Sequence, residues 1–369
     1  MWEKGISAYL GLNESPDRLY NYLEQAKRCG YSRLFTSLHI PEAKAGCSQK
    51  EIKAFIQKAA SLGYQITADI SAGVLTEFGA SYEDLSALTD LGLTTLRLDY
   101  GFTPEQIAAF TRKHQLEIEL NASTITEDIL IKLAAAKTDF TKVRACHNYY
   151  PRPETGLAMD LFMERSKLLR RYGILVFAFI PSKTHPRPPL AAGLPTLEKH
   201  RNLEPVIAAK EFLATGLVAG LLFGDPLATD AELTTVAALS ADSISFRITT
   251  APTLSTLERQ ILFSSHQNRF DPGENVVRSQ KARSLASGPI PPTEPRQRLT
   301  GSITIDNDSY LRYKGELQIV RSPLPADSRV NVVAQIIPEE QFLLSYLKPG
   351  GAFQFEAMNQ KQEESCHEA

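Results

Sequence analysis

Short, almost unbroken apolar runs rich in Val, Ile, Leu and Phe recur through the first two-thirds of the chain. They cover residues 5–9, 33–37, 65–70, 95–99, 117–121, 142–146, 174–180 and 218–223. Four to seven consecutive apolar positions are the pattern of parallel strands covered on both faces. Between the runs lie stretches with helical periodicity at 16–29, 48–62, 81–91, 104–114, 126–136, 160–171 and 203–215. Several open on a helix-start signal: Ser15-Pro16, Ser48 with Glu51 three residues on, Thr103-Pro104, and Thr126 followed by acids. Several close on glycine, at Gly30, Gly63, Gly92, Gly173 and Gly216. Eight strand–helix units over about 250 residues predict an α/β fold, a (β/α)8 barrel. A doubly wound open sheet is the alternative, but the first turn, Leu10-Gly11-Leu12-Asn13, lacks the Gly-rich dinucleotide fingerprint.

The residues at the ends of the runs support the barrel. These strand ends carry Ser7 and Tyr9; Ser37, His39 and Glu42; Asp69 and Ser71; Asp99 and Tyr100; Asn121 and Ser123; His147 and Asn148; Pro181 and Ser182; Gly224 and Asp225. In a barrel all of these converge on the C-terminal rim, where barrel enzymes keep their active sites. Any one of them has a plain structural use as a cap or a turn, but eight polar strand ends together argue for a site. The densest block comes after the sixth run and holds His147, Asn148, Tyr149, Tyr150, Arg152 and Glu154. Pro151 and Pro153 forbid a regular strand or helix there, so the block is a loop. Its mixture of Tyr, Asn and Arg suits a polar, ring-shaped, anionic ligand, against the bland alternative of a rigid turn with surface aromatics.

The alternation of strand and helix stops after Ile248. A hairpin-like pattern around Asn307-Asp308, further runs at 330–336 and 353–355, and a short helix at 338–344 predict a small β-rich domain. The expected organisation is a barrel over 1–250, the β domain over 251–360 and a polar tail over 361–369. A formal charge of -2 argues against a dedicated nucleic-acid binder. No apolar run reaches membrane-spanning length. The four cysteines, Cys29, Cys47, Cys146 and Cys366, are scattered without paired spacing. With a strand starting within five residues of the N-terminus in place of a signal peptide, that pattern predicts reduced thiols and a cytoplasmic location. The seven histidines include no H-x-x-x-H or H-E-x-x-H, so neither a metal nor another cofactor is expected.

The runs Ser37-Leu-His-Ile-Pro-Glu42, Leu96-Arg-Leu-Asp-Tyr-Gly101, Asn121-Ala-Ser-Thr124, the block from His147 to Leu157, and the segment from Arg187 to Arg201 resemble the bacterial 6-phospho-N-acetylmuramidases. So do His266-Gln-Asn-Arg-Phe-Asp271, Val277-Arg-Ser279 and the stretch from Gly301 to Ile319, so the resemblance spans essentially the whole chain. It implies a barrel followed by a cyclophilin-like β domain. It also implies cytosolic release of N-acetylmuramic acid 6-phosphate from the non-reducing end of a recovered cell-wall disaccharide. The partner is then a phosphorylated amino sugar, not a nucleic acid or a membrane; oligomeric state stays open.

The residues themselves are compatible with that chemistry. Glycoside hydrolysis uses two carboxyl groups flanking the bond, one protonated and one ionised. Glu42 and Asp99, each following a strand directly, and Glu154, on the mobile-looking loop, are the catalytic candidates. Assistance by the substrate's own 2-acetamido group is another route. Ser7, His39, Asp69, Asn121, His147, Asn148, Tyr149 and Asp225 are expected to line the substrate. A phosphate and a lactyl carboxylate call for cations, and Arg152, Arg187, Arg201, Arg269 and Arg278 lie in irregular segments, with Ser279 beside the last. The cluster from His266 to Ser279 suggests that the β domain completes the site; a local ion pair of Arg269 with Asp271 is the bland alternative. A non-catalytic sugar-phosphate sensor and a barrel isomerase or lyase remain as other readings; Lys183, the nearest candidate for a Schiff base, lies in a loop.

Overall fold

The computed structural model describes residues 2–12, 14–38, 47–70, 72–98 and 101–358. Eight strands form a closed barrel: β1 (Glu3–Ser7), β2 (Arg33–Ser37), β3 (Gln65–Ile70), β4 (Thr95–Leu98), β5 (Glu117–Asn121), β6 (Val143–Cys146), β7 (Leu175–Ile180) and β8 (Gly220–Phe223). All pairings are parallel, and β1 pairs with both β2 and β8, which excludes the open sheet. The helices between strands begin where the side chains dictate. Ser15, Ser48, Thr103 and Thr126 each accept a backbone N–H of the first turn, and Ser48 and Thr103 form full capping boxes with Glu51 and Gln106.

The barrel interior is not purely apolar. Arg97 on β4 and Glu119 on β5 sit side by side in register and pair at 3.0 Å, both almost fully enclosed. Arg33 pairs with Glu3, and Arg144 with Glu117, diagonally across neighbouring strands, each acid lying two residues before the in-register partner, Gly5 or Glu119. Each arginine thus finds a carboxylate on the neighbouring strand, beside it or one diagonal step away, so these charges are tolerated in a strand pattern that reads as apolar. Space is tight: a Cβ on Gly220 would lie 2.5 Å from the Phe177 ring, so only glycine lets that ring into the barrel.

The chain divides near Ala238/Leu239 into two compact units, apart from Leu213–Thr215, which group with the second. The second unit holds a seven-stranded sheet built from β9 (Ser243–Thr250), β10 (His266–Gln267), β11 (Val276–Arg278), β12 (Ser302–Asp306), β13 (Leu317–Val320), β14 (Val330–Ile336) and β15 (Ala352–Ala357). The strand order is β10-β15-β9-β14-β12-β13-β11. The expected hairpin is present as β12 and β13, joined through a short 3-10 segment, Asp308–Tyr313. The boundary expected at 250 would leave β9 with the barrel, whereas it pairs with β14 and β15 near the middle of the second sheet. Its apolar run alone does not tell which sheet it joins; only the distant partners do.

Candidate active site

Parallel strands bring their C-terminal ends to one rim. There Phe35, Asp69, Arg97, Asn148, Tyr149 and Phe179 line a cavity of about 150 Å³. Three of its walls are aromatic. Phe35 and Phe179 meet edge to face at 5.3 Å, Tyr149 and Phe179 at 5.0 Å, and Tyr9 closes on Tyr149 at 6.4 Å.

The polar wall is organised by Arg97. Its Nη1 donates to Glu119 Oε1 at 3.0 Å and to the Cys146 carbonyl at 3.1 Å, and its Nη2 donates to Asn148 Oδ1. A guanidinium only donates, so the Asn148 atom facing it is the oxygen. The Asn148 backbone is held as well: its N–H donates to Ser123 Oγ at 2.9 Å and its carbonyl accepts from Thr196 Oγ1 at 2.9 Å.

Beside the cavity stands Arg187, on the loop after β7. Its guanidinium lies over the rings of Tyr9 and Tyr149, 4.7 and 5.0 Å from their centroids, and Nη1 donates to the Tyr149 hydroxyl at 3.0 Å. Its backbone N–H donates to Asp225 Oδ1 at 2.8 Å. Asp225 is fully buried, and its other oxygen accepts the N–H groups of Ser182 and Leu194 at 3.0 and 2.9 Å. Burial pushes the Asp225 carboxyl above its ordinary range, against those three hydrogen bonds. Asp225 therefore acts on the loops after β7 and β8, tying both into one rigid rim.

A second clasp holds the loop after β6. Glu198 accepts Arg201 Nε and Nη2 at 2.7 and 2.6 Å and the backbone N–H groups of Glu154 and Gly156 at 2.8 and 2.7 Å. Arg201 Nη1 donates to the carbonyls of Tyr150, Ala192 and Gly193, and Nη2 to that of Arg152. The Arg201 guanidinium holds the Glu198 carboxyl down at about 2. The loop passes so close that a Cβ on Gly156 would fall 2.6 Å from the Glu198 nitrogen. Glu154 itself is exposed, with a backbone φ of 71°, and Arg152 is exposed beside it.

His147 lies behind the rim. It is fully buried, its Nδ1 faces Ser123 Oγ at 3.3 Å and its Nε2 faces Ser166 Oγ at 3.0 Å. Burial, with the Arg97 charge adding to it, lowers its pKa to about 3, so the ring is neutral in the folded protein. An NMR titration is expected to show no imidazolium at this residue down to about pH 4. Because the folded value lies below the unfolded one, the stability His147 contributes is complete above about pH 6.5 and is lost as pH falls toward 3. Asn121 ends β5 and accepts the Ser123 N–H at 3.0 Å, and Ser7 is buried at the end of β1.

In the second unit, Arg269 pairs with Asp271 at 2.7 Å and Arg278 grips Glu316 with two bonds of 2.7 and 3.1 Å. Ser279 Oγ meets His266 Nδ1 at 2.9 Å. Glu42, His39 and Asp99 lie outside the described residues. Arg97, Phe35 and Phe179 are absent from the candidates that the sequence offers. The one available signal for Arg97 is a charge in the middle of a four-residue buried strand.

A closed parallel barrel with a cavity at its C-terminal rim is the arrangement on which barrel enzymes carry their active sites. Family models described as 6-phospho-N-acetylmuramidase, N-terminal, and 6-phospho-N-acetylmuramidase, C-terminal, match residues 4–238 and 244–356. The chain belongs to this 6-phospho-N-acetylmuramidase family: it is a glycosidase of peptidoglycan recycling whose substrate is a phosphorylated amino sugar. The sensor and isomerase or lyase readings find no support. An uncharacterized Bacillus cereus protein of known structure is similar, with 31% identity and a TM-score of 0.88 over 96% of this chain and 99% of that one. A conserved Enterococcus faecalis protein of unknown function is 35% identical, with a TM-score of 0.74 over 99% of each chain. No curated protein matches the chain. Among the described residues no helix is long and apolar enough to cross a membrane, and no group of three or more His, Cys, Asp or Glu side chains is arranged to hold a metal.

Proposed function

We propose that the cavity lined by Asp69, Arg97, Asn148 and Tyr149 holds the N-acetylmuramyl ring, and that Glu42 and Asp99 supply the two carboxyl groups that cleave its glycosidic bond. The observation that carries this reading is the Arg97–Asn148 pair on the polar wall of an aromatic-sided cavity at the rim. Sugars present apolar C–H faces and polar edges, which suits ring walls on one side and fixed donors and acceptors on the other. Chain position supports the catalytic assignment. Asp99 follows Leu98, the last residue of β4, and Glu42 lies between β2 and the next described helix, Gln49–Ser61, while Asp69 of the intervening strand reaches the cavity. Glycoside hydrolysis needs one carboxyl protonated to release the leaving oxygen and one ionised to meet the positive charge at the anomeric carbon, directly or through the 2-acetamido group. We assign the activity to the cytoplasm, since a phosphorylated sugar does not cross a membrane unaided.

Asn148 is the direct test. Asn148→Asp keeps an acceptor for Arg97 but removes the NH2 donor, at almost constant volume. The expected result is a kcat/KM lower by about 10- to 100-fold for the disaccharide, the scale of a lost hydrogen bond in an enclosed site, with the melting temperature unchanged or raised. Wild-type kinetics in this variant would remove Asn148 from the substrate's contacts.

A further inference from the structure

Of the five arginines that the sequence marks for anionic groups, Arg201, Arg269 and Arg278 already have carboxylate partners, in Glu198, Asp271 and Glu316. Arg97, inside the barrel, has Glu119. Arg152 is exposed. Arg187 is different. It is half-buried, it touches the cavity through Tyr149, and among the described residues no carboxylate lies within ion-pair distance of its guanidinium. Among the described residues its side chain makes one hydrogen bond, from Nη1 to the Tyr149 hydroxyl, and its buried Nε meets no acceptor. Its position is nonetheless tightly set. Two tyrosine rings lie under the guanidinium, the backbone N–H is bound by Asp225, and its carbonyl accepts from Ala191 at 3.1 Å.

The Asp225 carboxylate acts on Arg187 through space but binds only its backbone N–H, and a partly desolvated guanidinium with no carboxylate in ion-pair contact among the described residues, held rigid at the edge of a cavity, is open to pairing with an anionic ligand. We propose that Arg187 is the oxyanion receptor of the barrel, taking one of the substrate's two anionic substituents on the unpaired edge of its guanidinium. This rests on the sugar-binding reading of the cavity. The shared chemistry is a bidentate oxyanion, which both the 6-phosphate and the lactyl carboxylate offer.

The test uses the full-length protein and three monosaccharides as competitive inhibitors: N-acetylmuramic acid 6-phosphate, its unphosphorylated form, and N-acetylglucosamine 6-phosphate, which lacks the lactyl group. Arg187→Met is expected to raise KM for the phosphorylated disaccharide about 10- to 100-fold, while its melting temperature stays at or above that of the wild type. Arg187→Lys, which keeps charge but loses the fork, should fall between. The inhibition constant for N-acetylmuramic acid 6-phosphate should weaken by the same factor. The inhibitor that lacks the contacted anion should bind wild type and variant alike: the unphosphorylated sugar if Arg187 holds the phosphate, N-acetylglucosamine 6-phosphate if it holds the carboxylate. Equal weakening of all three inhibitors, or unchanged KM in both variants, overturns the assignment. Wild-type hydrolysis in the same assay checks the underlying reading separately: its absence sinks that reading, whereas its presence with an indifferent Arg187 sinks only this one.

Discussion

Glu42→Gln and Asp99→Asn are each expected to lower kcat/KM for the phosphorylated disaccharide by about 10²–10⁴-fold, the range typical of a lost general acid or base. Both changes keep side-chain volume and remove only the ionisable oxygen, so the cooperative unfolding of the protein should be unaffected. The two variants should also separate by substrate. With an activated aryl leaving group, which needs little protonation, the variant lacking the acid recovers much of its rate; the variant lacking the ionised carboxylate does not. Near-normal turnover in both would take Glu42 and Asp99 out of the reaction and turn attention to Glu154, whose backbone amide is held by Glu198 at the loop after β6.

The largest stability effect is expected at Arg201. Its side chain is 6% exposed, forms a two-bond pair with Glu198 and donates to the carbonyls of four residues on two loops. Arg201→Met leaves those carbonyls without their donor and the half-exposed Glu198 without its counter-charge, a loss of about 1–3 kcal/mol, the scale of leaving buried acceptors unsatisfied. A fall of several degrees in the melting temperature, with reduced activity because the loop carrying Asn148 loosens, is the expected outcome. A melting temperature equal to wild type would show that the clasp does not hold the rim. The same clasp is acid-sensitive. Glu198 titrates at about 2 in the folded protein against 4.5 ordinarily, so its contribution is complete above about pH 4.5 and is lost as pH falls toward 2. Glu198→Gln should flatten that part of the stability profile.

The barrel is legible in the sequence because each of its elements carries a local signal. Buried parallel strands need apolar runs, and helix starts need side-chain acceptors, so Ser15, Ser48, Thr103 and Thr126 mark where their helices begin. The rim is legible for the same reason: polar residues directly after an apolar run stand at strand ends. Roles set by distant neighbours are not legible. Arg97 reads as an oddity in an apolar strand until the register places Glu119 beside it and Asn148 above it. His147 and Asp225 look like ligand groups, yet their polar atoms are engaged by Ser123 and Ser166 and by three backbone amides. The Glu198–Arg201 spacing predicts their pairing, but not the four carbonyls that turn it into a clasp. Likewise β9 resembles one more barrel strand, because its partners β14 and β15 begin at Val330 and Ala352, far along the chain.

The family activity and the proposed binding of an anionic amino sugar at the rim meet in one expected reaction. It is checked by incubating the purified full-length protein with N-acetylmuramyl-N-acetylglucosamine, with and without the 6-phosphate, and resolving the released monosaccharides by mass spectrometry. N-acetylmuramic acid 6-phosphate and N-acetylglucosamine are expected from the phosphorylated disaccharide, with little or no cleavage of the unphosphorylated one. Intact phosphorylated disaccharide after prolonged incubation, or equal cleavage of both substrates, would be incompatible with a phosphate-selective muramidase.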